Sequence, residues 1–146
     1  MLFAVGQLYL KPDVAFPFTH VMQRYLGDRV SALVPESPAF ISRFGANWTL
    51  IVRVSADDEI SDNKILGPTV FKTERDVEFS LFLPYNIIVS QRGDVFRAAL
   101  HWILSGIAEI LDRVGLDPRP LVQANDSILD EMCSRPEMIK TEEGTR

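Results

Sequence analysis

The chain is short of the residues that nucleophilic and metal chemistry most often uses, with one cysteine and two histidines among 146 residues. Cys133 has no internal disulfide partner, and without a second cysteine or a neighbouring histidine it completes no zinc pattern. It reads as a partly buried thiol. His20 and His101 have no Gly-x-Ser-x-Gly elbow to serve, and Ser105, one turn beyond His101, shares its helix and lacks an oxyanion hole. No glycine-rich turn feeds a helix N-terminus, because Gly93-Asp94 offers a single glycine followed by an acid, so no dinucleotide or P-loop chemistry is expected. No cofactor is implied.

Long apolar runs are also missing. None approaches the roughly 20 residues of a membrane span, and Met1 leads directly into LFAVGQLYL, without the basic start and small-residue cleavage site of a signal peptide. A cytoplasmic protein with no membrane partner is expected. Positive charge is in deficit, since the net charge is −5. The imbalance lies in the later parts of the chain, where residues 57–116 carry six basic and ten acidic side chains and residues 117–146 carry four and seven. Such a chain is repelled by phosphate backbones, which disfavours direct nucleic-acid binding and is compatible with a basic protein partner.

What is present is one ordinary core. Hydrophobic residues make up 47% of the chain, enough at this length for a single domain over residues 1–133. The remaining residues, 134–146, are polar and aperiodic, and a frayed tail is expected there. The strongest periodicity is in Gly93–Gly115. Phe96, Leu100, Ile103, Ile107, Ile110, Leu111 and Val114 recur at three- and four-residue steps, Asp94 can cap the start and Gly115 can stop the end. The opposite face is mixed, so this long helix is expected to lie across a sheet with part of its back also covered.

The other elements are shorter. Residues 2–10 are apolar on both faces, as in a central strand. A first helix is expected over about 17–26, or extended toward Leu33, and residues 35–47 contain Pro35, Pro38 and Gly45 and read as a connection. Trp48–Ala56 alternates cleanly as a strand. Thr69–Glu74 and Val77–Leu83 form a hairpin turning near Arg75-Asp76, with Val77, Phe79, Leu81 and Leu83 on the core side. Ile87–Gln91 leads into the long helix, Asp117-Pro118-Arg119-Pro120 is a rigid break, and a last helix ends near Cys133. This order predicts an α+β fold: an antiparallel or mixed sheet of about four strands, with the long C-terminal-side helix and two shorter helices packed on it.

Two carboxylate groups attract attention. Asp57, Asp58, Glu59 and Asp62 cluster in one prominent loop, and Asp76 and Glu78 share a strand face. The literal Asp62-Asn63-Lys64 matches half of a nuclease metal motif, so a metal-dependent hydrolase using Asp62, Lys64, Asp76 and Glu78 is one reading. In the others the loop is solvated, or it docks a basic protein whose approach its carboxylates accelerate. Glu78 can also pair across the sheet with Arg53.

The stretch LFLPYNIIVSQRGDVFRAALHWILSGIAEILDRVGLD, with a strand ending in Leu83-Pro84-Tyr85 and a helix carrying Leu104-Ser105-Gly106-Ile107, resembles the C-terminal half of cytoplasmic immunity proteins from bacterial polymorphic-toxin and contact-dependent inhibition systems. The resemblance covers about a third of the chain. It implies a non-catalytic protein that binds and neutralises a cognate toxin domain, a basic nuclease being the favoured class. Partner-binding residues are then expected among Asp57, Asp58, Glu59 and Asp62, followed by Asp76 and Glu78. An acidic secretion chaperone, which holds an extended effector on apolar surfaces, is the alternative binder. The oligomeric state stays open.

Overall fold

A computed structural model describes residues 2–5, 20–35, 37–90 and 95–135. Its elements run β1 (Leu2–Val5), α1 (His20–Leu33), α2 (Pro38–Phe44), β2 (Thr49–Asp57), β3 (Lys64–Phe71), β4 (Asp76–Pro84), α3 (Tyr85–Ser90), α4 (Val95–Arg113), α5 (Arg119–Gln123) and α6 (Asn125–Ser134). The fold is α+β. Among the described residues the sheet is mixed and four-stranded in the order β1-β2-β4-β3: β1 and β4 both run parallel to β2, and β3 runs antiparallel to β4.

The alternation along β2 and β4 explains how the sheet meets its helices. Leu50, Val52 and Val54 are buried on β2, and their register partners Val77, Phe79 and Leu81 are buried on β4. Side chains alternate faces along a strand, so these six form one apolar face. They share a single core with Met22, Leu26 and Val30 of α1, with the buried side of α4, and with Leu121, Ile128 and Met132 of α5 and α6. The intervening β2 and β4 positions are half-buried or exposed. The helices therefore cover one face of the sheet.

Helix α4 carries the packing. Leu100, Ile103, Ile107, Ile110, Leu111 and Val114 are buried as the periodicity predicts, and Ala98 and Leu104 are buried on its flank, where α5 and α6 pack. Gly106 lets the helix come down onto the sheet. A Cβ there would lie 2.5 Å from both terminal carbons of Leu81. At its end, Leu116 N–H donates to the Leu111 carbonyl (2.9 Å) and Gly115 N–H to that of Asp112 (3.2 Å), while Gly115 adopts φ 85°. This pairing closes the orphan carbonyls of the last turn, and the left-handed φ is why glycine stands there.

Several expectations are corrected. In place of two helices beside the long one there are five among the described residues, because three short segments read as connections are helical. Pro38 and Pro120 caused two of the misreadings: each occupies a helix's first turn, where the missing N–H costs nothing, and Ser37 caps α2 by accepting from Phe40 N–H at 3.2 Å. The third is α3, in the segment read as a lead-in. Among the described residues the first strand stands at an edge, with β2 and β4 central, and residues 6–10 of its expected span lie outside them. Strand β3 begins at Lys64, five residues before the expected start, and carries a register shift between Leu66 and Thr69, at Gly67-Pro68. The expected cap Asp94, the segment 11–19 and residues 136–146 also lie outside the described residues.

Candidate functional site

The acidic loop joins β2 to β3 at the end of the sheet where Asp57 is in register with Pro84. Its conformation is built from its own carboxylates. Asp57 Oδ1 accepts from Glu59 N–H and Asp62 Oδ1 accepts from Asn63 N–H, each at 2.8 Å. Short acceptor side chains capture nearby backbone donors in this way and replace the ladder bonds a strand would have offered.

Two amides then fasten the loop to the body of the protein. Asn86 Nδ2, from the first turn of α3, donates to the Asp58 carbonyl at 2.7 Å. Asn63 Nδ2 donates to the Trp102 carbonyl of α4 at 3.0 Å. The loop is thus held on both sides, by bonds that span 28 and 39 residues of sequence. Asn63 Oδ1 and Trp102 Nε1 are shielded from solvent, and neither pairs with a protein group among the described residues. Between these fastenings Glu59, Ser61 and Asp62 are exposed, and Asp57 and Asp58 are half-exposed. Lys64, just beyond, lies over the Phe82 ring at 5.9 Å.

Asp76 and Glu78 are not part of this surface. Because β4 runs parallel to β2, its first residue stands beside Thr49 and its last beside Asp57. Eight residue steps at about 3.3 Å each separate the two ends, roughly 26 Å. Asp76 is therefore at the far end of the sheet, and Glu78, two residues in, forms an ion pair with Arg53. The quartet Asp62, Lys64, Asp76 and Glu78 cannot converge on one ion. No group of three or more metal-binding side chains is assembled among the described residues.

His101 and Ser105 are both exposed on the back of α4, beside a groove of 250 Å³ completed by Leu121, Asn125 and Asp126. No described hydrogen bond joins the two. Cys133 is half-buried as expected. Arg97 reaches toward it from α4, and its guanidinium pKa is held above the ordinary value chiefly by its hydrogen bond to Asp130. Comparison with protein-family models, curated proteins and solved structures finds no match. Among the described residues no helix is long and apolar enough to cross a membrane.

Proposed function

We propose that this chain is a cytoplasmic immunity protein without catalytic activity, which binds a cognate bacterial toxin domain and neutralises it through the β2–β3 loop. The observation that carries the reading is the fastening of four acidic residues by Asn63 and Asn86 at the sheet's end. A preformed anionic surface loses little conformational entropy on binding, and it steers a cationic partner before contact. A basic nuclease has the complementary charge. Asp57, Asp58, Glu59 and Asp62 are the contact set, whereas Glu78 is engaged with Arg53 and Asp76 lies too far away to join it.

The test is a binding titration with the C-terminal domain of the neighbouring gene's product, at 50 and 300 mM salt. The comparison variant carries Asp57→Asn, Asp58→Asn, Glu59→Gln and Asp62→Asn, which remove charge while keeping oxygen acceptors for the turn. Loss of at least 100-fold in affinity, with a flatter salt dependence, is expected. Equal binding by the variant would remove the loop from the interface.

One observation favours the alternative, a secretion chaperone. On edge strand β3 Leu66, Val70 and Phe71 are 49%, 40% and 40% exposed, the kind of apolar surface on which an extended client can lie. Constitutive dimerisation and a long peptide footprint along β3, with no effect of the loop variant, would support it.

A further inference from the structure

A second built surface lies at the opposite end of the sheet from the acidic loop. There the last residue of α2, the residue before β2 and the second half of β3 enclose a cleft of 470 Å³, lined by Phe44, Trp48, Pro68 and Val70 and edged by Arg43 and Lys72. Its walls are fixed in place. Helix α2 is tied to the end of α4 on both sides, by Ser37 Oγ donating to the Gly115 carbonyl (2.6 Å) and by Arg43 Nη1 donating to that of Arg113 (2.9 Å). The Arg43 guanidinium lies over the Phe44 ring at 4.9 Å, and the Phe44 and Trp48 rings are 6.5 Å apart. Gly45, at φ 113°, leaves room for the indole: a Cβ there would stand 2.7 Å from Trp48 Nε1.

The chemistry of this cleft is the reverse of the chain's net charge. Neither Arg43 nor Lys72 is ion-paired among the described residues, whereas Arg53, Arg97, Arg113, Arg119 and Arg135 all are. The nearest carboxylate along β4, Asp76, immediately precedes the buried core residue Val77 and so takes the sheet face opposite Val70, which is in register with Val77. An aromatic floor between two cations matches an apolar side chain flanked by carboxylates.

We infer that this cleft docks a short acidic segment of a partner protein, an aromatic side chain seated on Phe44 and Trp48 with adjacent aspartate or glutamate carboxylates on Arg43 and Lys72. A protein segment is favoured over a small aromatic acid because three of the six lining residues, Arg43, Val70 and Lys72, are exposed, so a small ligand would bury one side only. A nucleic acid is disfavoured by the net charge of −5. The surface is separate from the acidic loop, and the inference stands or falls apart from the toxin reading.

The experiment is a proton–nitrogen NMR titration of the full chain. The two tryptophans give two indole signals, so Trp102, on α4, is an internal control for Trp48. The probes are a hexapeptide alternating aspartate with phenylalanine, its asparagine counterpart, and 2-naphthoate. The acidic peptide is expected to move the Trp48 signal saturably and leave Trp102 in place, with the asparagine peptide at least 10-fold weaker. Lys72→Gln, at an exposed residue with no ion pair among those described, is expected to weaken the acidic peptide at least 5-fold with an otherwise unchanged spectrum. No saturable movement of Trp48, equal binding of the two peptides, unchanged affinity in Lys72→Gln, or naphthoate binding as tightly as the peptide would each overturn the inference.

Discussion

Gly106→Ala isolates the contact on which the two layers depend. In an exposed helix interior this change would stabilise by about 1 kcal/mol, because alanine loses less backbone entropy. Here the new methyl would stand 2.5 Å from both terminal carbons of Leu81, which is fully buried and cannot swing into solvent. Overpacking of this kind costs about 1–3 kcal/mol. With both branches of Leu81 blocked, the upper part of that range applies, and the net result is a loss of about 1–2 kcal/mol. For a domain of this size that corresponds to roughly 3–8 °C in Tm.

A double-mutant cycle gives the sharper test. Leu81→Ala alone empties core space and costs about 2–5 kcal/mol. In the double variant the alanine methyl at 106 enters the emptied space, so the combined loss is expected to fall short of the sum by about 1–2 kcal/mol. Urea unfolding of the four proteins at 25 °C measures all of these terms. A Gly106→Ala protein more stable than wild type, or strictly additive losses, would refute the close approach of α4 to β4. The consequence reaches the candidate site as well, because the same helix supplies the Trp102 carbonyl that seats Asn63.

Four further outcomes are expected. Asn63→Ala removes one loop fastening, costs about 1 kcal/mol, and accelerates amide exchange at residues 58–63 with little change in the core. Gly115→Ala puts a side chain at φ 85°, with its Cβ 3.0 Å from that of Ala39, and should cost about 1–2 kcal/mol by urea unfolding. Arg53→Ala breaks a pair whose arginine is largely exposed, so its stability change should stay under about 1 kcal/mol. Tyr25 ionises at about 12 in place of 10, because burial disfavours the phenolate and Glu131 accepts its hydrogen bond. A raised pKa gives stabilisation that is complete below pH 10 and is lost as pH climbs from 10 toward 12, so Tyr25→Phe should flatten the stability profile in that window, read by thermal unfolding.

Legibility in the sequence followed the range of the interactions involved. The alternation of Leu50, Val52 and Val54 and the spacing of Leu100 through Val114 are local signals, and both sets are buried where expected. Gly115 marks the end of α4 for a local reason too. The parallel pairing of β1 and β4 with β2 is not local, and neither is the passage of β3 through Gly67-Pro68, whose turn chemistry is absorbed by a register shift inside the strand. At the candidate site, the four loop acids were legible because they are consecutive or nearly so. Asn63 and Asn86 were not, since their partners lie 39 and 28 residues away and a lone asparagine beside a strand signals only a turn. Asp76 looked close to Asp62 in sequence. Strand β3 carries the chain the length of the sheet between them, and only the parallel register of β2 and β4 shows that they stand at opposite ends.

The most direct test of the proposed function is rescue of cells in which the C-terminal domain of the neighbouring gene's product is expressed and arrests growth. Wild-type chain should restore growth and copurify with the domain one to one, while the loop variant, folded and expressed at the same level, should do neither. Growth arrest unrelieved by the wild-type chain, or full rescue by the loop variant, would contradict neutralisation through Asp57, Asp58, Glu59 and Asp62.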